Sequence, residues 1–423
     1  MHHFIKRNML FAWVAVLGFC FASPQAFAIQ SGQDHTGHNH APGEGHGDTG
    51  VRRTFEYSPE VLDAWARVPI QEGGRIKPLD TMAGFKLLRY NGKRGIKTED
   101  LSPEGKLVPI AWLLDCIFFP EQAREYACFV VDLKAVTVAL GLDLEDKKKR
   151  DRYSYNELLT VRQSLMLKAQ EASRKESAER DTIERQILNL SRNFLELEDL
   201  LRLSEFAGVK LPVSTVPELS ELFSGEDPEL PLWLARSVEI KARVPRALVS
   251  QEPGSNVDAG WRAIIGTLEQ LRHRSYGGLA LFAPTSGPEA VPAWYTWPEM
   301  VEACLQGNGD AMDNLPALEA IGATFKSRQD EAQFSAQALA TAKLLQARAE
   351  ARGEFSRVPM EVSFYKFDFF YKALYAFILA FLLTAIAWLR SNKSGGGAGV
   401  VKGAWVMNVA GLALLVGGIT YRC

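Results

Sequence analysis

Cysteine is scarce, with five in 423 residues, and one of them, Cys20, lies in an apolar stretch near the N-terminus. So few exclude a disulfide scaffold. Cys116 and Cys128 either pair in an oxidising compartment or serve as two small buried hydrophobes. No Cys-x-x-Cys-His occurs, so covalent haem attachment to this chain is not indicated. Histidine is nearly missing too: beyond His46 only His273 remains, at the end of a helical pattern where the helix dipole accounts for a cationic side chain. A charge excess is also absent. Lys plus Arg number 48 against 50 Asp plus Glu, a net charge of −2, so nothing draws the chain to DNA or RNA and no nucleic-acid partner is expected.

What is present begins with two apolar runs, Ala373 to Leu389 and Ala404 to Tyr421. Each is about the 20 residues a helix needs to cross a bilayer. They read as membrane helices, the first at 363–390 with its entry and the second at 404–423. The loop between them, 391–403, is flanked by Arg390 and carries Lys393 and Lys402, which places it in the cytoplasm by the positive-inside bias. Everything ahead of the first span is then extracytoplasmic. In the second span Asn408, with the small-x-x-x-small pair Ala413 and Gly417, marks a face for packing against other helices.

The N-terminus agrees. His2, His3, Lys6 and Arg7 precede an apolar stretch, and Ala26-Phe27-Ala28 has the pattern of a signal peptidase site, so 1–28 reads as a secretory signal. The bulk of the chain is thus expected on the periplasmic side of the cytoplasmic (inner) membrane. Residues 29–52 form a polar, Gly-rich tether too poor in apolar side chains to build a core. His35, His38 and His40 within it form a weak site for a transition metal, so a periplasmic metal-binding or sensory membrane protein is one reading of the chain. A plain solvated tether is the other.

The fold class is mainly α: an exported helical domain with a long helical hairpin or short coiled coil, then two transmembrane helices. Ser58-Pro59-Glu60 is a helix start. Gly73 and Gly74 permit a tight turn, and Pro69 and Pro78 bar helix on either side of it. Asp80 or Thr81 is placed to cap the next helix. Gly73, Gly74, Arg75, Lys77 and Asp80 form a candidate anion or partner contact, for instance for a haem propionate at Arg75 and Lys77, alongside a purely structural turn. Ile110 to Phe119 reads as a buried helix and Phe129 to Asp132 as a short strand. Ile183, Ile187, Leu190, Phe194, Leu197 and Leu201 step by four and three residues, as on a coiled-coil seam. Prolines from Pro212 to Pro253 mark a loop-rich boundary, dividing the exported part into subdomains at 53–207 and 208–362. Trp294, Tyr295 and Trp297 form an aromatic cluster that caps the core, faces the membrane surface or stacks on a partner.

Three islands carry a family resemblance. Pro69-Ile70-Gln71-Glu72-Gly73-Gly74-Arg75-Ile76-Lys77-Pro78-Leu79-Asp80-Thr81 resembles the Pro-Val-Gln-Asp-Gly-Gly-Arg-x-Lys-Pro-Leu-Asp-Thr signature of the large CcsA/ResC-type cytochrome c biogenesis (cytochrome c assembly) proteins. Trp112-Leu113-Leu114-Asp115 and the stretch from Glu361 to Tyr375 resemble the same family, the latter where its members enter their first membrane helix. The resemblance implies a membrane-anchored extracytoplasmic subunit of a c-type cytochrome maturation complex, which delivers and attaches haem. It is not an enzyme on its own. The implied partners are a CcsA-like multi-span protein or a missing C-terminal half, an apocytochrome c and the lipid bilayer. Haem is handled by that complex. The family's Trp-rich haem motif and membrane histidines have no counterpart here, so no haem ligand is carried over, and the chain is expected to be one part of a split or longer protein.

Overall fold

A computed structural model describes residues 51–97, 105–142, 151–244, 259–273, 278–285, 293–391 and 398–422. The signal, most of the tether with His35, His38 and His40, and Lys393 lie outside the described residues. The fold is mainly helical, and its strands among the described residues form three two-stranded antiparallel ladders.

Helix α1 (Pro59–Ala66) starts as its sequence dictates. The Ser58 hydroxyl accepts the Val61 amide at 3.3 Å, with a proline in the first turn. Strands β1 (Pro69–Glu72) and β2 (Arg75–Pro78) then form a hairpin whose outermost pair is Pro69 and Pro78. Its loop is Gly73-Gly74, at φ +63° and +74°. Positive φ at both central positions is the requirement of a two-residue type I′ turn, which matches strand twist and which L side chains resist. Helix α2 (Leu79–Asn91) follows directly. Its N-cap is Pro78 with no side-chain hydrogen bond, so neither Asp80 nor Thr81 caps it.

Strands β3 (Ile96–Lys97) and β4 (Lys106–Leu107) pair ahead of α3 (Pro109–Phe118), which is buried on every side from Ile110 onward. Strand β5 (Phe129–Val131) pairs with β6 (Asp151–Tyr153). The long hairpin follows as α4 (Arg162–Ser173) and α5 (Thr182–Leu201), the latter started by an Asp181–Glu184 capping box. Of the stripe, Ile187, Leu190, Phe194, Leu197 and Leu201 are buried and Ile183 is half-buried, and α5 packs on α3 and α4. The seam therefore serves the chain's own core.

Four longer helices complete this region: α6 (Ala259–His273), α7 (Trp297–Gln306), α8 (Leu315–Lys326) and α9 (Glu331–Ala351). Helix α9 lies on α1, where Trp65 Nε1 donates to the Ala338 carbonyl at 3.0 Å. One contiguous hydrophobic core runs from Tyr57 to Val362, with residues from both sides of position 207. Trp297 is buried in this core with Tyr295 packed against it, while Trp294 is buried in a small separate cluster with Ala283 and Ala349, where its Nε1 donates to Glu354 at 3.1 Å.

Helix α10 (Val358–Phe367) leads to α11 (Phe369–Ser391) and α12 (Ala398–Arg422). Between α10 and α11 the backbone breaks at Asp368, φ +52°. Two helical stretches here are long and apolar enough to cross a membrane, with mean hydropathy 2.0 and 1.7. Ala373, Ala380 and Ala387 on one helix and Ala404, Gly411 and Gly418 on the other are buried at seven-residue steps. Small residues at a heptad interval let two helices approach closely. At Gly411 a Cβ would stand 2.9 Å from the Phe377 ring, so this contact admits only glycine unless the ring moves. Asn408 and Ala413 are exposed, and Gly417 faces Phe369.

Candidate functional site

Two of the resembling islands, far apart in sequence, meet. Strand β2 packs on α10, and Arg75 forms an ion pair with Glu361. A second link runs nearby, where Lys366 Nζ donates to Asp63 Oδ1 at 2.9 Å and Arg67 adds a hydrogen bond at 3.1 Å. Burial acts to raise the Asp63 carboxyl, but Lys366 and Arg67 outweigh it and hold the group below its ordinary range. The hairpin is thus fastened to the helix that enters the first membrane-length segment.

Each proposed contact residue has a defined place. An added Cβ at Gly73 or Gly74 would meet no heavy atom within 4 Å, so the hairpin tip is open. The Arg75 side chain is 65% exposed although paired. Lys77 pairs with Glu72 across the hairpin. Both cations expected to meet an anion therefore already hold a carboxylate. The second Glu361 oxygen, Oε1, is buried without a hydrogen-bond partner among the described residues. Asp80 turns away from the tip. Burial raises its carboxyl above the ordinary range, against the pull of Lys366, Arg94 and a hydrogen bond from the Ile110 backbone amide. That amide belongs to the first turn of α3, whose N-cap Val108 supplies no side chain, so Asp80 satisfies one of its orphan donors from outside the helix.

The third island holds a buried charge cluster. Asp115 Oδ1 accepts from Arg53 Nε at 2.9 Å and from the Tyr57 hydroxyl at 2.8 Å. Its Oδ2 accepts from Arg53 Nη2 at 3.1 Å and from the Tyr126 hydroxyl at 2.7 Å. The side chains of Arg53 and Asp115 are 1% and 0% exposed. Burial works against the Arg53 charge, but the hydrogen bond and charge of Asp115 prevail and hold the guanidinium above its ordinary range. Burial and the Asp115 charge push the Tyr57 and Tyr126 phenols well up, so both remain donors. Every lone-pair direction of the carboxylate is used, the condition under which a buried ion pair is tolerated. Sequence reasoning missed this cluster, because Arg53 and Asp115 lie 62 positions apart.

Cys116 and Cys128 are free and buried. Burial pushes the Cys128 thiol up to about 12 and Cys116 well above its usual value. Neither is poised as a thiolate nucleophile. Among the described residues no group of three or more His, Cys, Asp and Glu side chains is arranged to hold a metal ion. No family model matches the chain, and no curated protein matches it.

Proposed function

We propose that this chain is a membrane-anchored extracytoplasmic subunit of a c-type cytochrome maturation complex, holding a docking surface close to the bilayer for an apocytochrome c or for a CcsA-like multi-span partner that handles haem. One observation carries the reading. The Gly-Gly-Arg signature forms an open hairpin tip fixed to the entry helix by Arg75 and Glu361, so the two islands most similar to the cytochrome c biogenesis family are one structural unit. The role is presentation and positioning, and the chain by itself is not an enzyme.

In this reading the tip works through Arg75. The Arg75 side chain is 65% exposed, so its remaining N–H donors can meet an incoming carboxylate or propionate while Glu361 keeps the ion pair. Asn408 and Ala413, on the exposed face of α12, give the membrane partner a surface distinct from the seam between α11 and α12. The test is purification of the tagged chain from its native membranes. Recovery with a multi-span haem-containing protein supports the reading, and recovery of the chain alone under mild detergent contradicts it.

A further inference from the structure

We propose that the crevice between the β3–β4 hairpin and the α10–α11 break binds the phosphodiester headgroup of an anionic phospholipid. The crevice has a volume of about 730 Å³. One wall is cationic, formed by Lys93, Arg94, Lys97 and Lys106, and the other is aromatic, with Phe369, Phe370 and Tyr371 at its membrane end. Among the described residues, Asp368 is the one carboxylate that lines it.

Three features suit this occupant. First, none of the four cations is ion-paired among the described residues, unlike Arg75 and Lys77 on the neighbouring hairpin. Second, Arg94 is pre-organised, its guanidinium 4.5 Å from the Phe85 ring centroid and 4.3 Å from that of Tyr365. The two rings meet edge-to-face, their centroids 6.0 Å apart, and a cation seated in the corner they form is held in place with less rotamer freedom left to lose when an oxyanion arrives. Lys106 crosses the bare backbone of Gly95, where a Cβ would stand 2.6 Å from its Cε. Third, the crevice ends where α11 begins, and Phe370 and Tyr371 are exposed there. If α11 spans a bilayer, this is headgroup depth, with aromatic side chains where interfacial anchors sit. An anion that also carries acyl chains fits a site cationic on one side and apolar toward the membrane. The proposal rests on α11 being a membrane span.

The test uses the full chain reconstituted in nanodiscs of phosphatidylcholine with a minor fraction of phosphatidylglycerol, with retained lipid read by native mass spectrometry. Each cation near an anionic lipid contributes about fivefold. The triple variant Lys93→Gln, Lys97→Gln, Lys106→Gln is therefore expected to lower phosphatidylglycerol retention by about tenfold or more, leaving phosphatidylcholine unchanged. Lys134→Gln, Lys210→Gln, Lys343→Gln, outside the crevice, removes the same charge and should retain wild-type selectivity. Equal loss in both variants would reduce the effect to net charge and overturn the site. Displacement of the lipid by millimolar inorganic phosphate would overturn the commitment to a lipid. Failure of the chain to integrate into nanodiscs at all would instead refute the membrane reading, so the two failures are distinguishable.

Discussion

Replacing Asp115 with alanine tests the physical account of the fold most severely. The carboxylate is fully buried and takes four hydrogen bonds, two from Arg53 and one each from Tyr57 and Tyr126. Removing one member of a buried ion pair strands the other charge, which costs about 3–5 kcal/mol. At about 2 °C per kcal/mol, the low end for domains of 150–250 residues, the melting temperature should fall by roughly 6–10 °C. The assay is urea and thermal unfolding of the reconstituted chain by circular dichroism and tryptophan fluorescence. The partner experiment is Arg53→Met with Asp115→Leu. Because the two charges are removed together, the double variant should be far less destabilised than the sum of its single changes, with a coupling of about 2–3 kcal/mol. A loss under about 1 kcal/mol for Asp115→Ala, or strict additivity in the cycle, would refute the reasoning.

Gly73→Ala and Gly74→Ala should each cost about 1–2 kcal/mol in urea unfolding, because both occupy the left-handed region with no neighbour to clash; Arg75→Ala with Lys77→Ala should leave the midpoint within about 1 kcal/mol per broken pair. The Tyr57 phenol is raised in the fold, so its contribution is fully present below its unfolded value near pH 10 and falls away as pH rises above it. Tyr57→Phe should therefore flatten the alkaline limb of a stability-against-pH curve, and an unchanged limb would count against the raised phenol. Gly411→Leu drives a side chain into Phe377 and should separate the two apolar helices, read as lost cross-linking between cysteines placed across the seam. Ala413→Leu, on the exposed face, should leave that cross-link intact.

Local signals were legible where local physics decides. The Ser58 cap, the paired glycines, the α5 stripe and the two apolar helices all follow from propensity and periodicity, and each has its expected form. What could not be read required a partner distant in the chain. Prolines at 69 and 78 signal only the absence of helix, and the hairpin becomes visible once Pro69 is seen opposite Pro78. Asp80 reads as a cap for its own helix but satisfies the start of α3 instead, a choice fixed by how the two helices pack. Arg53 sits beside the tether by composition, yet it is the counter-charge of Asp115. In the second apolar helix several small-residue faces are possible. The seam uses Ala404, Gly411 and Gly418 because the Phe377 and Phe369 rings of the adjacent helix occupy that side.

The proposed role in holocytochrome c formation is measured by haem staining of c-type cytochromes in membranes of a strain lacking this chain. Holocytochrome c should be lost, then restored by the wild-type chain and only partly by Arg75→Ala with Lys77→Ala expressed to the same level. Normal holocytochrome c in the deletion strain would contradict it.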